Sequence, residues 1–140
     1  FIDGAKQVNK YLKKEGYTKT SYQSTLHPSA SKRITLGGHN QTTVTDCGKL
    51  LERIYRGECV SKEASEEMLD LLKNQQIPEG LGVDVPTANK TGETDEDQHD
   101  IAIVYGTKTT YILCVMSENA SNAIANIRNI SRVVYNYLNL

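Results

Sequence analysis

The chain has 140 residues, the size of one ordinary domain, with 38 % hydrophobic and 24 % charged residues and only ten glycines and three prolines. This composition excludes a disordered, collagen-like or low-complexity chain. Sixteen basic against seventeen acidic side chains leave a net charge of −1, so no basic excess exists to neutralise a phosphate backbone and nucleic acid is not expected as a partner.

Residues 4–15 read as a short helix with Ala5, Val8 and Leu12 on one face and Gly16 as its stop. Residues 17–41 are rich in Ser, Thr, Gly and His, carry Pro28 and Gly37-Gly38, and read as one long loop, of the kind that is usually functional or disordered. Thr43 then caps a helix whose apolar residues are Val44, Cys47, Leu51 and Ile54, and Gly57 stops it. Ser61 opens a further helix with Ala64, Met68, Leu71 and Leu72 as its apolar face. Pro78 and Gly80-Leu81-Gly82 end that region.

From there the period changes. Residues 83–90 read as a strand in which Pro86 argues for an edge position. Ile101–Tyr105 and Tyr111–Met116 are strands apolar on both faces, which requires cover on both sides. They are also the longest apolar runs, and neither could cross a bilayer; no signal-peptide pattern is present. Short connections make the three strands antiparallel neighbours. A last helix over about 120–138 carries the stripe Ala123, Ile127, Ile130, Val134 and Tyr137. The fold class is therefore α+β, an antiparallel sheet with helices packed on its faces. The whole chain, 1–140, reads as a single partial domain, with a helical part at 1–82 and a three-stranded sheet plus C-terminal helix at 83–140. The hydrophobic strand 111–116 is left with an outer edge, and a long apolar edge is a liability unless something pairs with it. Self-association or a complementing N-terminal segment is expected for that reason.

The sharpest chemical signal is Lys90-Thr91-Gly92-Glu93-Thr94 at the end of the first strand. It sets a cation and a hydroxyl beside a glycine on exposed strand backbone. A ligand could add to that edge through main-chain hydrogen bonds, Lys90 and Thr91 holding a carboxylate, Gly92 allowing close approach and the Glu93 N–H helping to bind an oxyanion. The acidic residues Glu93, Asp95, Glu96, Asp97 and Asp100 read as a solvated hairpin turn rather than a metal site. Cys47, Cys59 and Cys114 form no metal-ligand spacing and read as structural thiols. No metal and no cofactor is expected.

Lys-Thr-Gly-Glu-Thr, then His99-Asp100-Ile101-Ala102-Ile103-Val104-Tyr105, Tyr111–Ser117 and Ile130–Leu138 form a series that resembles the C-terminal part of class A serine β-lactamases and related penicillin-recognising enzymes. Thr42–Leu51 looks like that family's helix after the omega loop, so 17–41 takes the omega-like position. The resemblance implies acyl transfer through a serine ester on a β-lactam or a D-Ala-D-Ala-type peptide, in a bacterial protein outside the cytoplasm. It implies that Lys90 assists a proton network and attracts the substrate carboxylate, that Thr91 hydrogen-bonds it, and that the Glu93 N–H is an oxyanion donor. His99 falls where some members place a carboxylate-binding arginine.

Two features depart from the family pattern. The only Ser-x-x-Lys is Ser29-Ala30-Ser31-Lys32, in a polar loop and too near Lys90 for the family layout, with no Ser-x-Asn between them. The chain is therefore expected to lack its nucleophile and to be inactive alone. Residues 17–41 also contain no Asp or Glu to activate a deacylating water; His27 and His39 are the loop's other candidate bases. The main reading is the C-terminal portion of a β-lactamase-like serine hydrolase. A non-catalytic binding or sensor module on the same scaffold is the alternative, and a self-contained hydrolase using Ser29 is the third.

Overall fold

The computed structural model describes residues 2–25, 36–75 and 81–140. Along them run α1 (Ile2–Lys14), α2 (Val44–Tyr55), α3 (Lys62–Lys73), β1 (Thr87–Glu93), β2 (Asp97–Tyr105), β3 (Thr110–Glu118) and α4 (Ala123–Asn139). The chain divides into two compact units, 1–46 and 47–140, with the first turn of α2 in the former. The Ser29-x-x-Lys32 pattern, His27 and Pro28, and the breakers Pro78 and Gly80, lie outside the described residues.

In the first unit, α1 ends as the sequence implies. Gly16 adopts φ +88°, the Gly16 N–H donates to the Lys13 carbonyl at 3.2 Å and the Tyr17 N–H reaches back to the Leu12 carbonyl at 2.9 Å. Of the expected apolar face, Ala5 is buried and Leu12 half-buried, whereas Val8 is exposed. The chain after α1 is irregular but tightly tied. Asn9 bonds both the N–H and the carbonyl of Tyr22, at 2.7 and 2.8 Å. Asn40 accepts from the N–H groups of Gln23 and Ser24 and donates to the Ser24 carbonyl. Buried Asp46 accepts from the Lys19 N–H and the Thr20 hydroxyl, at 2.9 and 2.8 Å. Three side chains thus supply the partners that a strand ladder would otherwise give this backbone.

The second unit is built on a three-stranded antiparallel sheet of order β1-β2-β3. One face gathers Ala88, Ile101, Ile103, Tyr105, Ile112 and Cys114 against Leu51 of α2 and Leu69 and Leu72 of α3. The other gathers Ala102, Val104, Leu113 and Val115 against Leu81, Ile127 and Tyr135. Both faces of β2 are therefore covered, as its unbroken apolar run requires. Burying Leu51 and Ile103 completely contributes about 1.5–3 kcal/mol each. The caps fall where the sequence puts them: the Asp46 N–H donates to Thr43 Oγ1 at 3.2 Å, and the Ala64 N–H to Ser61 Oγ at 3.1 Å. At the end of α2, Gly57 takes φ +73° and the Glu58 N–H bonds the Arg53 carbonyl at 2.8 Å.

Three expectations need correction. The first strand is not 83–90 but Thr87–Glu93, because Pro86 has no N–H for a ladder; its carbonyl accepts from Tyr105 at the ladder's end, and Val83 and Val85 pack into the second core instead. The second strand starts four residues before Ile101, so His99 and Asp100 lie within it. Leu71 of α3 and Ile130 and Tyr137 of α4 are exposed; α4 meets the sheet through Ala123, Ile127, Ser131 and Tyr135, a four-residue spacing that includes a small polar residue.

Candidate functional site

The Lys90-Thr91-Gly92-Glu93 segment forms the end of the edge strand β1, which runs on to Glu93. The ladder fixes which backbone groups face outward. The Tyr105 N–H donates to the Pro86 carbonyl at 3.0 Å and the Thr94 N–H to the Asp97 carbonyl at 2.9 Å. Even-numbered residues from 86 to 94 therefore turn their backbone groups towards β2, and Asn89, Thr91 and Glu93 turn theirs to the outer edge. The Glu93 N–H, one of the expected oxyanion donors, points away from the sheet and has no partner among the described residues.

The side chains alternate with the same period. Exposed Lys90 projects on the face that α2 and α3 cover, and its Nζ donates to the Thr91 carbonyl at 2.6 Å. Half-buried Thr91 lies on the opposite face, where the Gln75 carboxamide meets it twice. The Thr91 N–H donates to Gln75 Oε1, and Gln75 Nε2 donates to Thr91 Oγ1, both at 3.3 Å. Gly92 stands opposite His99, and a Cβ placed on it would lie 3.5 Å from the imidazole Cδ2. His99 accepts the Ser117 N–H at Nδ1 at 3.3 Å, which leaves Nε2 as the N–H donor of the neutral ring. The structure thus sets Lys90, Thr91, Gly92 and Glu93 along one stretch of the β1 edge, with His99 beside Gly92 on the central strand β2. His39 is exposed in the first unit.

Asp100, opposite Thr91, does not belong to the solvated acidic turn that the sequence suggests; it is buried beneath the segment. Burial pushes its carboxyl above the usual range, and donation from Asn89, the backbone amides of Leu81 and Ile101, and the charge of Lys90 pull the other way. The remaining acids do form a turn: Thr94 Oγ1 accepts from the N–H groups of Glu96 and Asp97, at 3.2 and 2.9 Å. No group of three metal-ligating side chains occurs among the described residues. Gln75 leaves no mark in the sequence, because its bond to Thr91 spans sixteen residues without local pattern. Asp100 did leave a signal, since it alternates in phase with Ala102 and Val104 and so falls on an apolar face.

A cation, a hydroxyl, a glycine and an outward N–H along one edge strand can hold an anion and polarise a carbonyl oxygen. The comparisons give the class of the chain. Residues 2–138 match the Beta-lactamase enzyme family, and the chain belongs to that family of β-lactamase-like serine hydrolases. No curated protein matches it. Among solved structures, it is similar to the β-lactamase from Sphaerobacter thermophilus, with TM-score 0.82 and 21 % identity over 96 % of this chain and 54 % of that one. It is also similar to PBP-A, with TM-score 0.74 and 24 % identity over 95 % of this chain and 51 % of that one. A PBP-A mutant solved as its acyl-enzyme with penicillin G gives TM-score 0.73 at the same identity and coverage. The chain spans about half the length of these proteins. Among the described residues, no helix is long and apolar enough to cross a membrane.

Proposed function

We propose that this chain is the substrate-holding C-terminal portion of a β-lactamase-like serine hydrolase, acting on β-lactams or D-Ala-D-Ala-type peptides. The observation that carries this reading is the outward Glu93 N–H, without a partner among the described residues, on the same edge as Lys90 and Thr91. In it, Lys90 attracts the substrate carboxylate and Thr91 donates its hydroxyl to it. Gly92 lets the ligand approach, and Glu93 supplies one oxyanion donor while the nucleophile comes from residues outside this chain. His99, with Nε2 as donor beside Gly92, adds a further contact to the carboxylate. An extracytoplasmic bacterial setting belongs to the same proposal.

The test is incubation of the chain with a fluorescent penicillin, read by denaturing gel and intact mass, alongside benzylpenicillin titration of the amide NMR spectrum. No covalent adduct and a saturable shift of the Glu93 amide that Lys90→Ala weakens is the expected pair of results. An adduct on Ser29 would instead make the chain an acyl-enzyme former in its own right. A spectrum unmoved by benzylpenicillin at millimolar concentration overturns the substrate assignment.

A further inference from the structure

Both outward backbone groups of Thr91 are taken by side chains of the same chain. Gln75 Oε1 accepts the N–H at 3.3 Å, and Lys90 Nζ donates to the carbonyl at 2.6 Å. An exposed edge strand ordinarily offers a continuous row of donors and acceptors to an incoming strand. In β1 that row is interrupted at its middle and, among the described residues, meets no partner at Glu93. Gln75 Oε1 stands where the carbonyl oxygen of an added strand would meet the Thr91 N–H, Lys90 Nζ stands where its N–H would meet the Thr91 carbonyl, and Gln75 Nε2 adds a bond to Thr91 Oγ1.

We infer that Gln75 is a specificity-determining residue that closes the β1 edge to strand addition at Thr91 and confines ligands to short anionic groups docking at Glu93. The ligand class rests on the reading of β1 as the substrate edge; the closure does not. An extended peptide pairing along β1 must first displace Gln75, whereas a compact carboxylate can meet Glu93 N–H and the Thr91 hydroxyl with Gln75 in place. Because Thr91 Oγ1 accepts from Gln75 Nε2, the hydroxyl proton is directed away from Gln75 and is left to donate to an anion.

The experiment is amide hydrogen exchange on the full chain, residue by residue. The Thr91 amide, though on the outer edge, is expected to show a protection factor about tenfold above that of Glu93, the worth of one hydrogen bond. Gln75→Ala brings the two together while the ladder amides of Lys90 and Gly92 stay protected, which separates loss of the contact from unfolding. Gln75→Glu keeps the acceptor and so keeps Thr91 protected. A blocked hexapeptide of alternating threonine and valine should shift the β1 amides of Gln75→Ala and leave those of the unaltered chain in place. Equal protection of Thr91 and Glu93 in the unaltered chain, or equal peptide binding by both proteins, overturns the inference. Benzylpenicillin, added separately, reports on the substrate reading alone: a silent Glu93 amide with Thr91 still protected removes that reading and leaves the closure standing.

Discussion

Asn89 of β1 lies on Asp100 of β2, its Nδ2 3.1 Å from one carboxylate oxygen and 3.3 Å from the other. The contact is diagonal, since Asn89 pairs with Ala102 and Asp100 with Thr91. It places a buried carboxylate, held by an amide, directly under the Lys90–Glu93 stretch of β1.

Asp100 makes stability depend on pH with a definite sign. Burial raises its carboxyl above the ordinary value, so the folded chain holds this proton more tightly than the unfolded chain. The cost of burying the charge is therefore fully present above the raised value and disappears as pH falls below the ordinary carboxylate value of 3.8. Asp100→Asn keeps an oxygen for Asn89 and cannot ionise. Thermal unfolding of both proteins between pH 3 and 7 should show the difference shifting in favour of the native sequence as pH falls. Parallel curves would mean that Asp100 stays as acidic folded as unfolded.

The far end of the β2–β3 hairpin is closed by the C-terminal helix. Asn139 Oδ1 accepts from the N–H groups of Lys108 and Thr109, both at 2.9 Å, and a Cβ on Gly106 would overlap that oxygen and the Thr109 carbonyl. Asn139→Ala strips two turn amides of their partner and should cost about 1–3 kcal/mol in denaturant unfolding. Gly106→Ala should cost at least as much, because neither neighbour can move without breaking the turn.

What the sequence made legible here was local. Thr43 and Ser61 cap, Gly16 and Gly57 stop, and the apolar runs at 101–105 and 111–116 form strands, because each depends on neighbours within a few positions. Pro86 displaced β1 because a missing N–H matters only once a partner strand is in place. Hydropathy placed Ile130 and Tyr137 on the buried stripe of α4, but the helix meets the sheet every fourth residue through Ser131, which carries no apolar signal. The residues themselves single out Lys90, Thr91, Gly92 and Glu93 and the resemblance adds His99; the register sets the first four along β1 and His99 opposite Gly92. Gln75 was invisible, since an amide that bonds a strand sixteen residues away leaves no periodic trace.

Gly92 separates folding from binding. Its Cβ position meets the His99 ring at 3.5 Å, ordinary van der Waals contact, and its backbone needs no left-handed conformation. Gly92→Ala should therefore leave the melting temperature within a few degrees, while Gly92→Val crowds the approach beside Glu93. Benzylpenicillin-induced shifts of the Glu93 amide should shrink from the native chain to alanine and again to valine. Equal shifts in all three proteins would show that the ligand does not pass over Gly92.

Cys114 gives the last measurable consequence. Burial, with smaller contributions from Cys47 and Asp100, pushes its thiol up to about 11. The thiolate is the reactive form, so at pH 8 alkylation of Cys114 by iodoacetamide should run about a hundredfold slower than that of a free thiol. The unfolded chain ionises this group first, so above pH 9 deprotonation favours the unfolded state until the folded value near 11 is passed. Cys114→Ala removes that contribution. Its melting temperature should fall less steeply between pH 9 and 11 than that of the native chain. Fast alkylation of Cys114 in the folded protein, located by peptide mass mapping, would show that the thiol on this face of β3 is open to solvent.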